Sequence, residues 1–246
     1  MQGEGPDVGA STLFVRFGVC DLRCRWCDSP HTWQAAKECR VERGRGTGEF
    51  RTIANPVSVA GALEAARALD AERHRFVSLT GGEPLLQPEA AAALARGLRL
   101  LGPHIHLETH GLLADALELV LPEVDVVSMD WKLASDVRRE SDPRGAPAAP
   151  FHAEHEVFLA RARRAPRVVV KIVVTTATED DEVDVAVHTV ARQAPDATLV
   201  LQPVTPIGQV RERPSAARLL TLATRAERSL RDVRVIPQTH PIYGAL

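Results

Sequence analysis

Phe76-Val-Ser-Leu-Thr-Gly-Gly-Glu-Pro-Leu-Leu-Gln-Pro-Glu-Ala-Ala-Ala-Ala-Leu-Ala-Arg-Gly-Leu-Arg-Leu-Leu101 is the stretch on which the fold reading turns. A short apolar run, Phe76–Leu79, stops at a polar turn containing two glycines. An Ala- and Leu-rich segment follows from Pro88 to Leu101, opened by a proline where a helix has no use for an N–H. Strand, turn and helix in that order make one βα unit. The pattern repeats in both directions. Further candidate strands are Leu13–Phe17, Ile105–Glu108, Val124–Met129, Val168–Val174, Thr198–Gln202 and Val233–Ile236. Further candidate helices are Val57–Asp70, Ala114–Val120, Ala153–Arg164, Asp181–Gln193 and Ser215–Leu230. Alternating strands and helices predict an α/β fold with a parallel sheet and right-handed crossovers. About six such units predict a partial (β/α)6-type barrel or a strongly curved open sheet. The Val, Ile and Leu content of the runs predicts strands buried on both faces.

Composition narrows the function classes. The chain has 246 residues, 45% of them hydrophobic, which is enough for one sizeable core. A single domain over residues 1–246 is therefore expected. Thirty Lys and Arg against 32 Asp and Glu give a net charge of -2, which offers no bulk attraction to nucleic acid. No run approaches the roughly 20 apolar residues of a membrane span, and Met1-Gln-Gly-Glu-Gly-Pro lacks the features of a secretory leader. A cytoplasmic protein is expected. Residues 34–55, with Gly44, Gly46 and Gly48, break the rhythm, as do residues 136–150, with Pro143, Pro147 and Pro150. Both are expected to be surface loops.

In parallel α/β folds, sites gather where strands end. Here those ends carry the chemistry-bearing residues. Three of the four cysteines stand in Cys20-Asp-Leu-Arg-Cys24-Arg-Trp-Cys27, after the first strand. Clustered cysteines in a reducing compartment point to metal or catalysis rather than disulfides. Three thiolates on one short loop suit three irons of a [4Fe–4S] cubane and leave the fourth iron open for a small chelating molecule. Zinc is the competing reading, with His31 or Cys39 as fourth ligand; Cys39 is otherwise a free thiol. Thr80-Gly81-Gly82-Glu83-Pro84 ends the second strand; its glycines allow close backbone approach, and Glu83 offers a carboxylate to an ammonium group. Ser128, Asp130 and Lys132 end the fourth strand, where a hydroxyl, a carboxylate and an amine suit a ribose and a carboxylate; a solvated Asp–Lys pair is the plainer alternative. Gln202 ends the sixth strand. Glu108 and His110 read equally well as packed polar residues.

The Cys-x3-Cys-x2-Cys spacing, with aromatic Trp26 before the third cysteine, resembles the radical S-adenosylmethionine (SAM) superfamily, and Thr80-Gly-Gly-Glu-Pro matches its cofactor-side segment. Two further pairs of segments narrow the resemblance: Gln2-Gly-Glu-Gly with Pro237-Gln-Thr-His240, and Phe14-Val-Arg16-Phe with Cys27-Asp28-Ser29-Pro-His-Thr-Trp33. Together they are similar to the 7-carboxy-7-deazaguanine synthase family over nearly the whole chain. The resemblance implies a partial barrel of the radical SAM type, a [4Fe–4S] cluster on Cys20, Cys24 and Cys27, SAM and Mg²⁺. It implies a lyase that contracts the ring of 6-carboxy-5,6,7,8-tetrahydropterin in a queuosine-type pathway. Implied cofactor contacts are Trp26, Asp28, Gly82, Glu83, Ser128, Asp130, Lys132 and Gln202. Implied substrate contacts are Gln2, Gly3, Arg16, Thr80, His240 and the terminal Leu246. Arg16 takes the carboxylate-binding place, for which a planar guanidinium is suited. Ser29 takes the Mg²⁺ place, where the family usually has threonine and the hydroxyl is kept. His110 stands where the family usually has asparagine. The implied partners are the small pterin, a flavodoxin-like or ferredoxin-like electron donor and a second copy in a homodimer. A glycyl-radical activating enzyme shares the cysteine spacing, and a zinc-stabilised binding module is the alternative of another class.

Overall fold

The structure, a computed structural model, describes residues 1–143 and 145–244. Leu246, implied as a substrate contact, lies outside them. Seven parallel strands form the main sheet: β1 (Thr12–Phe17), β5 (Phe76–Gly81), β6 (His104–Thr109), β7 (Val126–Asp130), β9 (Arg167–Val174), β10 (Thr198–Pro203) and β11 (Val233–Val235), neighbours in that order. The helices between them are α1 (Val59–Ala68), α2 (Pro88–Arg99), α3 (Ala114–Val120), α4 (His152–Ala162), α5 (Asp180–Gln193) and α6 (Ala216–Ala226). Every expected strand and helix is present, within the usual scatter at element ends. Edge strands β1 and β11 do not pair with each other, so the sheet is a partial barrel.

The two faces of this sheet differ, which corrects the expectation of strands apolar on both. Period-two alternation sends Leu13, Val77, Leu79, Ile105, Leu107, Val127, Met129, Val170, Ile172, Leu199 and Leu201 outward. There they pack against helix residues such as Leu94, Leu117, Phe158, Val187 and Leu222. The intervening residues face inward. Phe76, Val126, Val169 and Val200 form an apolar layer nearer the strand starts. Beyond it the inner face turns polar, with Ser78, Thr80, His106, Glu108, Ser128, Asp130, Lys171 and Gln202. A uniformly apolar lumen would leave no place for polar chemistry, and here the polar layer sits at the strand ends.

Residues 2–10 run along that inner face. Asp7 pairs with Arg167 at the start of β9, Glu4 with Lys171 midway, and Gln2 Nε2 donates to Glu108 Oε1 at 2.7 Å. The other end of the chain holds the same segment. Thr239 N–H donates to Gly3 O at 2.8 Å, and Gln238 Nε2 to Glu4 Oε1 at 2.6 Å. Nothing larger than glycine fits at Gly3, because a Cβ there would lie 2.6 Å from His240 Cβ.

Both expected loops contain structure. Within residues 34–55, β3 (Glu38–Glu42) and β4 (Phe50–Ala54) form an antiparallel hairpin. Its alternation of charged and apolar residues was hidden by charge content, and Arg40 lies over the Phe50 ring at 4.2 Å. Within residues 136–150, β8 (Val137–Arg139) pairs antiparallel with β2 (Leu22–Cys24), and Cys24 stands opposite Val137. The second segment is thus a brace for the cysteine loop.

Candidate active site

The cysteine loop leaves β1 at the barrel mouth and is held on three sides. β8 pairs with it, Gly82 N–H donates to Phe17 O and Glu83 N–H to Val19 O, each at 2.8 Å. Val19 has φ 75°, a costly place for a β-branched residue, and the two bonds from the Gly82 turn keep it there. Gly82 must be glycine because the Val19 carbonyl lies against it; a Cβ would sit 2.7 Å from the carbonyl carbon. All four cysteines are free thiols. Cys20, Cys24 and Trp26 pack around Leu22, Val137 and Phe151. Burial pushes the Cys24 thiol up to about 12, against the pull of Lys132. A coordinated metal would reverse that balance by removing the proton. Lys132 Nζ lies 4.6 Å from the centre of the Trp26 ring. Cys39 belongs to the β3–β4 hairpin.

Glu83 is engaged within the protein. Its side chain is fully buried and faces inward to the protein. Oε1 accepts from Leu85 N–H at 2.9 Å and Thr109 Oγ1 at 2.8 Å, and Oε2 accepts from His110 N–H at 2.8 Å. Those donors engage both of its oxygens, so the side chain organises the turn.

The inner-face residues meet as register partners. Arg16 stands opposite Thr80, Glu108 opposite Ser128, and Asp130 opposite Lys171. Glu108 is a hub: besides Gln2, it accepts from Ser78 Oγ and Thr80 Oγ1, both at 2.8 Å. Arg16 is exposed and, among the described residues, has no carboxylate partner. The plainer alternative of a solvated Asp130–Lys132 pair does not hold, because the pair is largely buried. Asp130 takes Lys132 Nζ at 2.8 Å and Lys171 Nζ at 3.0 Å. Burial opposes its ionisation, but the two ammonium groups outweigh it and hold the carboxyl at about 2. Gln202 is buried with its Oε1 unpartnered, as is Trp26 Nε1. Buried polar atoms left in that state lose about 1–3 kcal/mol each unless something fills the gap. On the rim, Ser29 Oγ donates to Asp28 Oδ1 at 2.8 Å, and His240 Nε2 lies 3.9 Å from Asp28. Lys171 and Glu4 were not singled out from sequence; they lie 167 positions apart, and no local spacing signals such a pair.

Residues 14–190 match the sequence profile of the Radical SAM superfamily. A protein of Geobacter sulfurreducens named 7-carboxy-7-deazaguanine synthase is 37% identical over all of this chain and 94% of its own length. The chain belongs to the radical SAM superfamily and its 7-carboxy-7-deazaguanine synthase family. A like-named relative from Thermococcus kodakarensis is 35% identical over 84% of this chain and 81% of its own length. Two solved structures share the fold. TYW1 with a lysine–pyruvate adduct bound superposes with TM-score 0.56 at 12% identity, over 90% of this chain and 72% of its own. A radical SAM methyltransferase from Sphaerobacter thermophilus gives 0.55 at 17%, over 93% and 65%.

The superfamily's groups are a [4Fe–4S] cluster and SAM, and the residues present fit them. Among the described residues, no three His, Cys, Asp or Glu side chains converge as ligands of one ion would. Thiolates that each hold a separate iron have no need to converge so closely. Beside the loop, the unpartnered Trp26 Nε1 and Gln202 Oε1 offer a donor and an acceptor that the protein itself leaves unused.

Proposed function

We propose that this chain converts 6-carboxy-5,6,7,8-tetrahydropterin to 7-carboxy-7-deazaguanine and ammonia, a step of 7-deazapurine biosynthesis. The observation that carries the reading is Arg16. Among the described residues its guanidinium has no acidic partner, and Arg16 stands in register with Thr80, whose hydroxyl donates to Glu108 beside Gln2. A cation left free above a hydrogen-bonding floor suits a ligand with a carboxylate at one end and a polar heterocycle at the other.

Cys20, Cys24 and Cys27 would hold the cluster. The cluster and SAM, when bound, would supply one-electron and radical chemistry at this end of the barrel. The backbone of Gly81 and Gly82 would take the amino-acid part of SAM, and Gln202 and Trp26, whose buried Oε1 and Nε1 are unpartnered, would take its nucleoside. Ser128 and Asp130 face the ribose side, and Lys132 keeps Asp130 ionised and oriented. Arg16 fixes the substrate carboxylate. Gln2, Gly3, Thr80 and His240 line the pterin, and the first and last segments of the chain together exclude water from it. Ser29, supported by Asp28, holds Mg²⁺, a hard cation suited to oxygen ligands. The conversion loses ammonia and involves no net oxidation, so hydrogen taken from the substrate returns before the amine departs. An external one-electron donor of the flavodoxin or ferredoxin kind would supply the electron.

The test is anaerobic reconstitution with iron and sulfide, then incubation with reductant, SAM, Mg²⁺ and the carboxytetrahydropterin. Deazaguanine product with little net 5′-deoxyadenosine is expected. SAM cleavage with no deazapurine would overturn the substrate assignment, and a colourless protein holding stoichiometric zinc would overturn the cluster itself.

A further inference from the structure

His110 is buried at the turn after β6, and its backbone N–H and both ring nitrogens have distinct partners. Its backbone N–H donates to Glu83 Oε2 at 2.8 Å. Its Nδ1 accepts from Leu112 N–H at 3.3 Å. Its Nε2 faces Asp21 Oδ1 at 2.9 Å, and because a carboxylate only accepts, Nε2 carries the proton of that bond. Glu83 Oε2 lies 3.4 Å from Nδ1 and accepts from the His110 backbone at the shorter distance. The turn itself cannot drift. Gly111 has φ 69°, its N–H donates to Thr109 Oγ1 at 3.2 Å, and its carbonyl meets His155 Nδ1 at 2.9 Å. Asp21 directly follows Cys20, and its own carbonyl accepts from Glu140 N–H at 2.7 Å.

We infer that His110 is a positioning residue for the cysteine loop: by donating from Nε2 to Asp21 it locks Cys20 to the turn that Glu83 organises, and thereby sets both the place of that sulfur and the field around the metal it holds. The inference rests on the reading of Cys20 as a cluster ligand. Two rigid bodies meet at this hydrogen bond. One is the β5–β6 end of the barrel, braced by the saturated Glu83 carboxylate. The other is the cysteine loop, which β8 holds from the opposite side. A buried donor on a carboxylate beside a metal ligand disperses negative charge that would otherwise disfavour adding an electron.

Two amide replacements divide the imidazole's roles. His110→Asn retains an acceptor near the Nδ1 position and cannot reach Asp21; His110→Gln places an amide donor near the Nε2 position. In the metal-free full chain, the rate of Cys20 alkylation, read peptide by peptide, is expected to rise at least threefold in His110→Asn and stay near wild type in His110→Gln. In reconstituted protein, His110→Asn is expected to lower the reduced-to-oxidised ratio of the cluster about tenfold at fixed poise, or about 59 mV for one electron. His110→Gln restores it. Equal values for wild type and His110→Asn in both measurements would overturn the inference. So would equal damage in both variants, which would make the ring mere packing. If wild-type protein assembles no cluster, the cluster reading has failed, and the alkylation rates still decide the role of His110.

Discussion

Gly82→Ala tests whether the cofactor-side turn and the cysteine loop form one unit. An added Cβ would lie 2.7 Å from the Val19 carbonyl carbon and 3.1 Å from Thr32 O. Both obstacles are backbone, so relief requires the turn and the loop to part. Overpacking of this kind costs about 1–3 kcal/mol. Parting also weakens the bonds to Phe17 O and Val19 O, and losing one adds about 1 kcal/mol. The total, about 2–4 kcal/mol, corresponds to a Tm lower by about 5–15 °C for a chain of this size. The assay is thermal unfolding of the metal-free chain by circular dichroism, paired with iron content after reconstitution. Iron should fall below wild type, because separation lets Val19 leave φ 75° and moves Cys20 with it. Gly61→Ala is the control. It lies on exposed α1 with its nearest contact at 3.4 Å, where alanine should gain about 0.5–1 kcal/mol. A Gly82→Ala protein that melts within about 2 °C of wild type and binds full iron would refute the reasoning.

Asp130 has a folded pKa depressed from 3.8 to about 2. Its stabilisation is complete above the unfolded value and is lost as pH falls from about 4 through 2. Asp130→Asn should remove about 2–3 kcal/mol of the wild-type stability difference between pH 6 and pH 2, read by urea unfolding; parallel profiles would refute this. Gln202→Met removes an unpartnered buried oxygen, so the metal-free chain should be as stable or up to about 2 kcal/mol more stable. SAM affinity of the reconstituted protein, by calorimetry, should nevertheless fall at least tenfold; unchanged affinity would remove Gln202 from the site. Arg16→Ala should raise the substrate KM about 10–100-fold, the worth of a charge-assisted bond, with Arg16→Lys between. An unchanged KM with a lowered Tm would make Arg16 structural.

The repeating βα units were legible because outward residues such as Val77, Leu79, Ile105 and Leu107 share a run with helices of clear period. The cysteine loop was legible because its spacing is local. What escaped depends on distance or on saturation. The Lys171–Glu4 and Gln2–Glu108 pairs join residues 167 and 106 positions apart, and no window of sequence contains both. Glu83 looked available beside two glycines, but its partners Thr109 and His110 lie on the next strand end. The β3–β4 hairpin was masked by charge, since Glu38, Arg40 and Glu42 alternate with Cys39 and Val41 along an exposed ribbon.

The segment near Gly3 is clasped by residues 238–240, and its Glu4–Gln238 bond joins positions 234 apart. Loosening either half of that clasp therefore loosens the other: a substitution at Gln238 or Thr239 should free residues 2–4 from the inner face while the helices and the sheet stay whole.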